Sequence, residues 1–385
     1  MRRLTLATAA ALLMPGCGRI GYDAGGDDDP DAARNFTATP CDTPVVVVSL
    51  GAAAPSPPGY ALDVAVTATG FVAVYSLGGG SIDATGVAMD ASGGVENIQT
   101  RGFVTAGDTV DLSVAAIGDM VELGVNDPVN DHIVLHDLDA YGYNRGGPAP
   151  YDTKRGAGHA FVLADPGRDR FVVAGLFGNS TYAFSVDHDG DLNEPSRQVI
   201  VGGSLAPEGM GAALRPGGYA IFAGTTSECT VVATDDTFGA QASPSTIAMT
   251  CHHPSAVAAP SSNNVVAAWN CDNDAVWTTG GDPTSPLPGE RAVYGDSSNS
   301  SSDPRVVATS DGIWYAYAVA GGRLGRALLD ASGNQDPRVP AGDVYASPRV
   351  KAHDLVSRDD QAYLLWLESG PGVDDELKIM RLCAP

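Results

Sequence analysis

A short phrase, an apolar residue followed by Asp-x-x-Gly, returns along this chain at nearly constant intervals. It begins at Asp90, Asp139, Asp187, Asp236 and Asp330, which are 49, 48, 49 and 94 residues apart, the last interval being close to twice the others. A degenerate copy fills the gap at residues 278–282. Asp-x-x-Gly after an apolar run signals a tight hairpin, because the Asp side chain caps the turn and Gly takes the positive φ that it needs. A period of this length with several short strands per unit is the signature of a propeller or a repeat array.

The rest of the composition agrees. The 385 residues include 47 Gly and 26 Pro with only 18% charged residues, which suits short strands and tight turns, and no helical periodicity appears beyond the first segment. Reading outward from each turn gives strand, turn, strand, hairpin, strand, turn, strand, and seven such units follow one another. The first strand of each is rich in small residues, whereas the second carries the aromatics Tyr75, Phe171, Phe222, Trp269, Tyr315 and Trp366. Radial packing requires this distribution, since strands near a central axis are crowded and bulky side chains fit between neighbouring sheets. The expected fold is therefore all-β, a seven-bladed β-propeller over residues 41–385. A two-sheet sandwich with as many strands would not need regular spacing.

The seventh unit has three strands only. The run Val45-Val46-Val47-Val48 belongs to no unit and is expected to complete that blade by pairing antiparallel with residues 378–382, which removes the open edge of the ring. Cys41 and Cys383 then lie side by side, and a disulfide between them is expected.

Residues 1–16 have the charged start and short apolar core of a secretory signal, too short to span a membrane. They end in Leu13-Met14-Pro15-Gly16-Cys17, which resembles a bacterial lipobox. The resemblance implies cleavage before Cys17 and lipidation of that residue. Residues 17–40, with Asp27, Asp28, Asp29 and Asp31 in a segment poor in apolar residues, read as the lipid anchor and an extended acidic tether. The chain thus resembles the surface lipoproteins of two-membrane bacteria that carry a β-propeller repeat domain. Gly18 in place of Asp after the lipidated Cys implies the outer membrane. A formal charge of −24 argues against nucleic acid as a partner. The expected partners are a membrane, reached through the lipid, and a protein or glycan ligand, with the chain itself a monomer.

Among the other cysteines, Cys251 before one inner strand and Cys271 after the strand antiparallel to it are expected to pair, with Cys229 as the rival partner. Cys251-His252-His253 with Cys271 does not meet zinc spacing rules, so no metal and no cofactor are expected. The oxygen-rich stretch 187–194 could hold calcium, but its Gly is the fourth residue rather than the sixth, and a solvated hairpin explains it. Asp63, Asp111, His159, Asp303, Arg305 and Arg349 fall at or near the starts of inner strands, where a propeller builds its ligand rim. Nucleophile elbows, phosphate loops and dinucleotide fingerprints are absent from the sequence. The functional expectation is a binding or scaffolding propeller, the alternative being a glycan-binding or glycan-cleaving one that uses two rim carboxylates.

Overall fold

The computed structural model describes residues 36–384, apart from 53–59, 78–80, 105–111, 128–131, 146–148, 152–156, 178–179, 188–190, 202–206, 226–227, 249–250, 261, 272–275, 289–290, 295–300, 320–321 and 372. The leader, Cys17 and the acidic tether up to residue 35 therefore lie outside the described residues, as does Asp111. All helical or extended elements among the described residues are β-strands, arranged in seven antiparallel sheets of four.

The first strand in the chain is β1 (Val45–Ala52). Blade 1 follows as β2 (Tyr60–Val66), β3 (Gly70–Leu77), β4 (Ser81–Met89) and β5 (Val95–Val104). Blade 2 is β6 (Leu112–Ile117), β7 (Met120–Asp127), β8 (His132–Asp139) and β9 (Ala149–Tyr151). Blade 3 is β10 (Ala157–Asp165), β11 (Arg170–Phe177), β12 (Ser180–Val186) and β13 (Leu192–Val201). Blade 4 is β14 (Pro207–Arg215), β15 (Gly218–Thr225), β16 (Cys229–Asp235) and β17 (Ser245–Ala248). Blade 5 is β18 (His252–Ala258), β19 (Val265–Asn270), β20 (Val276–Gly281) and β21 (Arg291–Tyr294). Blade 6 is β22 (Ser301–Thr309), β23 (Gly312–Val319), β24 (Arg323–Leu329) and β25 (Gly342–Ala346). Blade 7 is β26 (Val350–Arg358), β27 (Gln361–Glu368) and β28 (Asp374–Leu382), with β1 as its fourth strand. The first strand of each blade packs on the first strand of the next, and β26 packs on β2, so the seven blades close into a ring.

The repeated turns work as their sequence implies. Asp90 Oδ1 accepts the amides of Ser92 and Gly94, Asp139 Oδ1 those of Tyr141 and Tyr143, and Asp330 Oδ1 those of Ser332 and Asn334. In blade 4 the capping residue is Asp235 rather than Asp236, because its Oδ1 takes the amides of Thr237 and Gly239. Phe238 there adopts φ 63°, where Gly93, Gly142 and Gly333 stand at 76–81° in the other copies. Asp282 caps Thr284 in the degenerate copy. With Asp235 and Asp282 included, six turns recur every 47–49 residues. The seventh blade has no such turn because its third and fourth strands come from opposite ends of the chain.

The core lies between blades. Tyr75, Phe171, Phe222, Trp269, Tyr315 and Trp366 are all buried, and apolar clusters bridge each blade to a neighbour. Across the closing seam, Phe71 packs edge-on against Tyr363 at 5.5 Å between ring centres, within a cluster that includes Leu62, Tyr75, Leu365 and Leu377. Each such ring removed from water contributes about 2–3 kcal/mol.

Closure is both covalent and hydrogen-bonded. β1 runs antiparallel to β28 with Val45 opposite Ile379 and Ala52 opposite Asp374, so its partners are residues 374–379 rather than the expected 378–382. Two register irregularities let a strand of four consecutive valines follow the twist of the sheet edge. Upstream, the Thr37 amide donates to Val95 O and the Thr39 hydroxyl to Gly93 O, so this segment grips blade 1 before Cys41 bonds Cys383 of blade 7. The Cys41–Cys383 disulfide has Cα atoms 5.6 Å apart and spans 342 residues.

The expected pairing of Cys251 with Cys271 is corrected. Cys251 bonds Cys229, with Cα atoms 5.0 Å apart, and Cys271 belongs to neither disulfide. The reason is local. The Cys251 amide donates to Thr225 O of blade 4, and Gly224 leaves the space that Cys251 fills, since a Cβ there would lie 2.4 Å from Cys251 O. Cys251 is thereby turned toward the preceding blade and away from Cys271.

One buried charge stands out on β7. Glu122 is 1% exposed, neither carboxylate oxygen has a hydrogen-bond partner among the described residues, and Asp137 lies opposite it on β8. Burial, reinforced by the charges of Asp137 and Asp187, pushes its carboxyl up to about 8. The unfolded chain releases this proton near 4.5, so between about pH 4.5 and 8 the folded state binds more protons and stability falls as pH rises. Glu122→Gln is expected to stabilise the protein by a few kcal/mol at pH 8 and to flatten that part of the profile, as read by urea unfolding. Replacing Cys41 and Cys383 together by Ser should cost about 3–5 kcal/mol in the same assay, the range for a crosslink over so long a loop.

Candidate functional site

One position of the inner strands binds four of the blades to the next. Asp63 Oδ2 accepts the amide of Val114 at 2.7 Å, Ser113 Oγ that of Val162 at 3.0 Å, Ser255 Oγ that of Val306 at 3.2 Å, and Asp354 Oδ2 that of Val64 at 2.8 Å. In blades 3, 4 and 6 the same ladder position is Phe161, Gly211 and Arg305. Arg305 has no acceptor to offer, and its Nε lies 3.1 Å from Asp354 Oδ1 instead. Asp354 thus serves an amide of blade 1 with one oxygen and the guanidinium of blade 6 with the other. The charges of Asp63 and Asp354 act on each other across this seam.

This seam is electrostatically short of positive charge. Burial raises the Asp63 carboxyl, with Arg305 opposing the shift. Burial, and then the charge of Asp63, raises Asp354 well above the ordinary carboxylate range. Two neighbouring carboxyls beside a single guanidinium disfavour each other's ionisation, because like charges close together cannot both be compensated by one positive group.

At the mouth of the channel the inner strands are bulged. Register shifts fall between Ala157 and His159, Pro207 and Gly209, His252 and Ser255, Ser302 and Arg305, and Val350 and Ala352. Two of the bulged residues, His253 (φ 47°) and Asp303 (φ 50°), are not glycine yet sit in the left-handed region. Each precedes a proline, Pro254 or Pro304, whose missing N–H a regular ladder would not tolerate. The bulges aim the two side chains at each other, with His253 Nδ1 3.4 Å from Asp303 Oδ1. Burial would raise the Asp303 carboxyl, but His253, Arg305 and His353 outweigh it and hold the carboxyl below its ordinary value. His353, 2% exposed behind this pair, is pushed down to about 4, chiefly by burial. Bulges and left-handed non-glycine residues cost energy and concentrate at functional sites.

The groups converge on a cavity of about 480 Å³ in the central channel, lined by Asp63, His159, His253, Arg305 and Asp354 together with apolar side chains that include Phe161. Of the residues expected at the rim, Asp63, His159 and Arg305 line this cavity, and Asp303 joins it through His253. Arg349 does not. It lies just before β26, five residues from the Asp354 position, and its guanidinium turns along the blade to Glu368 at 3.6 Å, Glu376 at 3.7 Å and the Asp374 carbonyl at 2.5 Å. His253, His353 and Asp354 were not expected. The sequence signal for the first is His253-Pro254, since a proline inside an inner strand marks a bulge.

Among the described residues no group of three or more His, Cys, Asp or Glu is arranged to hold a metal ion.

No protein-family model matches the chain, and comparison with curated proteins gives no match. Solved structures do resemble it. The WD40 domain of Toxoplasma gondii coronin aligns with a TM-score of 0.53 at 11% identity, covering 91% of this chain and 89% of that one. The β-propeller domain of Myceliophteria thermophila Cps50 (Swd1) aligns with a TM-score of 0.52 at 14% identity, covering 85% of this chain and 99% of that one. At such identities the likeness is one of fold.

Arg305 should be the main offset to the seam's acidity. Arg305→Met is expected to cost about 2–4 kcal/mol at neutral pH, less than for a fully enclosed pair because the arginine is partly exposed. Adding Asp354→Asn to that variant should restore most of the loss, which a double-mutant cycle by urea unfolding reads directly.

Proposed function

We propose that this protein is a binding propeller held at the bacterial cell envelope, probing its surroundings with the mouth of its central channel. The observation that carries the reading is the convergence of His159, His253, Arg305, Asp63 and Asp354 on one cavity, three of the inner strands being bulged where they reach it. Concave sites with a few convergent polar groups on an apolar wall are the usual form of a small-ligand or side-chain pocket.

The lipobox-like Leu13-Met14-Pro15-Gly16-Cys17 supports anchoring through a lipid on Cys17, and Gly18 supports the outer membrane. In this reading the acidic residues 17–40 are a spacer that lifts the ring from the lipid surface. Expressed in a two-membrane bacterium, the wild-type protein should sediment with membranes and Cys17→Ser should move it to the soluble fraction. Equal membrane association of both would reject the anchor.

The binding reading is tested by screening the purified protein against soluble glycans, cell-wall fragments and peptide pools, for retention and for cleavage. Retention without product formation, weakened by Asp63→Asn, is the expected result. Turnover of any glycan, or no retention of any class, would reject it.

A further inference from the structure

The charges of the channel mouth do not balance. Three carboxyls, Asp63 on β2, Asp354 on β26 and Asp303 on β22, surround the single guanidinium of Arg305. β6 offers the hydroxyl of Ser113, β10 offers His159, β14 offers Gly209 and Met210, and β18 offers His253, which already faces Asp303. On the far side of Asp303, His353 is 2% exposed and neither ring nitrogen has a hydrogen-bond partner among the described residues. The wall across the channel, from blades 3 and 4, presents Phe161, Met210 and Ala212. One side of the cavity therefore lacks a positive charge, and the other is apolar.

We propose that the channel mouth takes one organic cation, an ammonium or guanidinium on a short apolar stem, with its charge facing Asp63 and its stem against Phe161 and Met210. This rests on the binding reading above. The cavity of about 480 Å³ accommodates a group the size of a basic side chain. The overall charge of −24 draws cations toward it. A metal ion fits less well, since Arg305 occupies the centre of the carboxyl cluster and the described residues hold no set of three metal ligands.

Binding has a proton linkage with a definite sign. Before the cation arrives, burial and the charge of Asp63 favour the protonated form of Asp354. The cation supplies the missing charge, both carboxyls ionise, and the proton leaves to solvent. Affinity therefore rises with pH. His353, held down to about 4, stays neutral near pH 7.

The test uses the full-length protein with n-butylammonium, n-butylguanidinium, butyrate and n-pentanol as probes, read by saturation-transfer NMR, a method suited to weak binding. The two cations should bind and butyrate should not. Affinity should fall at least tenfold on lowering the pH from about 8 to 5, as expected for one linked proton. Asp63→Asn, which keeps an acceptor for the Val114 amide, should weaken the cations at least tenfold. Asp303→Asn provides a second variant, since Asn tolerates the left-handed backbone at that position. Each variant is checked for an unchanged fold by circular dichroism. Binding of butyrate or pentanol in preference to the cations would overturn the inference while leaving a binding channel standing. Absence of binding by any of the four would overturn it as well, and only a blank result in the broader ligand screen would remove the binding reading itself.

Discussion

The structure depends on the pairing of β1 with β28. Six blades are built from strands consecutive in sequence, so each can form from local contacts, but the seventh requires the two ends of the folded chain to meet. Without β1, blade 7 would present the unpaired edge of β28, and only inner-strand and core contacts would hold it to blade 1. The disulfide between Cys41 and Cys383 and the grip of Thr37 and Thr39 on blade 1 hold this pairing from outside the sheet.

The same closure assembles the site. Asp354 belongs to the last blade and Asp63 to the first, and the amide of Val64 reaches Asp354 only when the ring is shut. Two buried carboxyls and a guanidinium are costly to bring together, and the Phe71 and Tyr363 cluster beside them offsets that cost. Function and closure thus share the seam between blades 7 and 1, where Asp354 and Asp63 meet.

Much of this was legible in the sequence. The turn-capping aspartates gave the period, the aromatic second strands gave the radial direction, and the orphan valine run with its flanking cysteine gave the closing strand. Asp236 was misread by one residue because Phe238, not a glycine, takes the positive φ there, a substitution that a glycine-based pattern cannot detect. Of the two partners open to Cys251, Cys229 is the one it takes rather than the expected Cys271, because the Cys251 amide bonds Thr225 O and Gly224 leaves it room beside the preceding blade, contacts that the strand order does not reveal. Asp354 was overlooked for a related reason. Its role is set by an amide 290 residues away in blade 1, and nothing in its own blade distinguishes it. His253-Pro254 and Asp303-Pro304 were the readable marks of the bulged mouth.

If closure and site are one structural unit, loosening the first must loosen the second. The most direct measurement is amide hydrogen exchange, resolved to short peptides, in the protein with Cys41 and Cys383 replaced by Ser. Exchange should quicken in residues 45–52 of β1 and at Val64, whose amide reports on Asp354, while Val162 and Val306, which report on the seams between blades 2 and 3 and between blades 5 and 6, should keep their wild-type protection. Unchanged protection at Val64 when β1 is loosened, or an equal loss at all three reporter amides, would contradict the account.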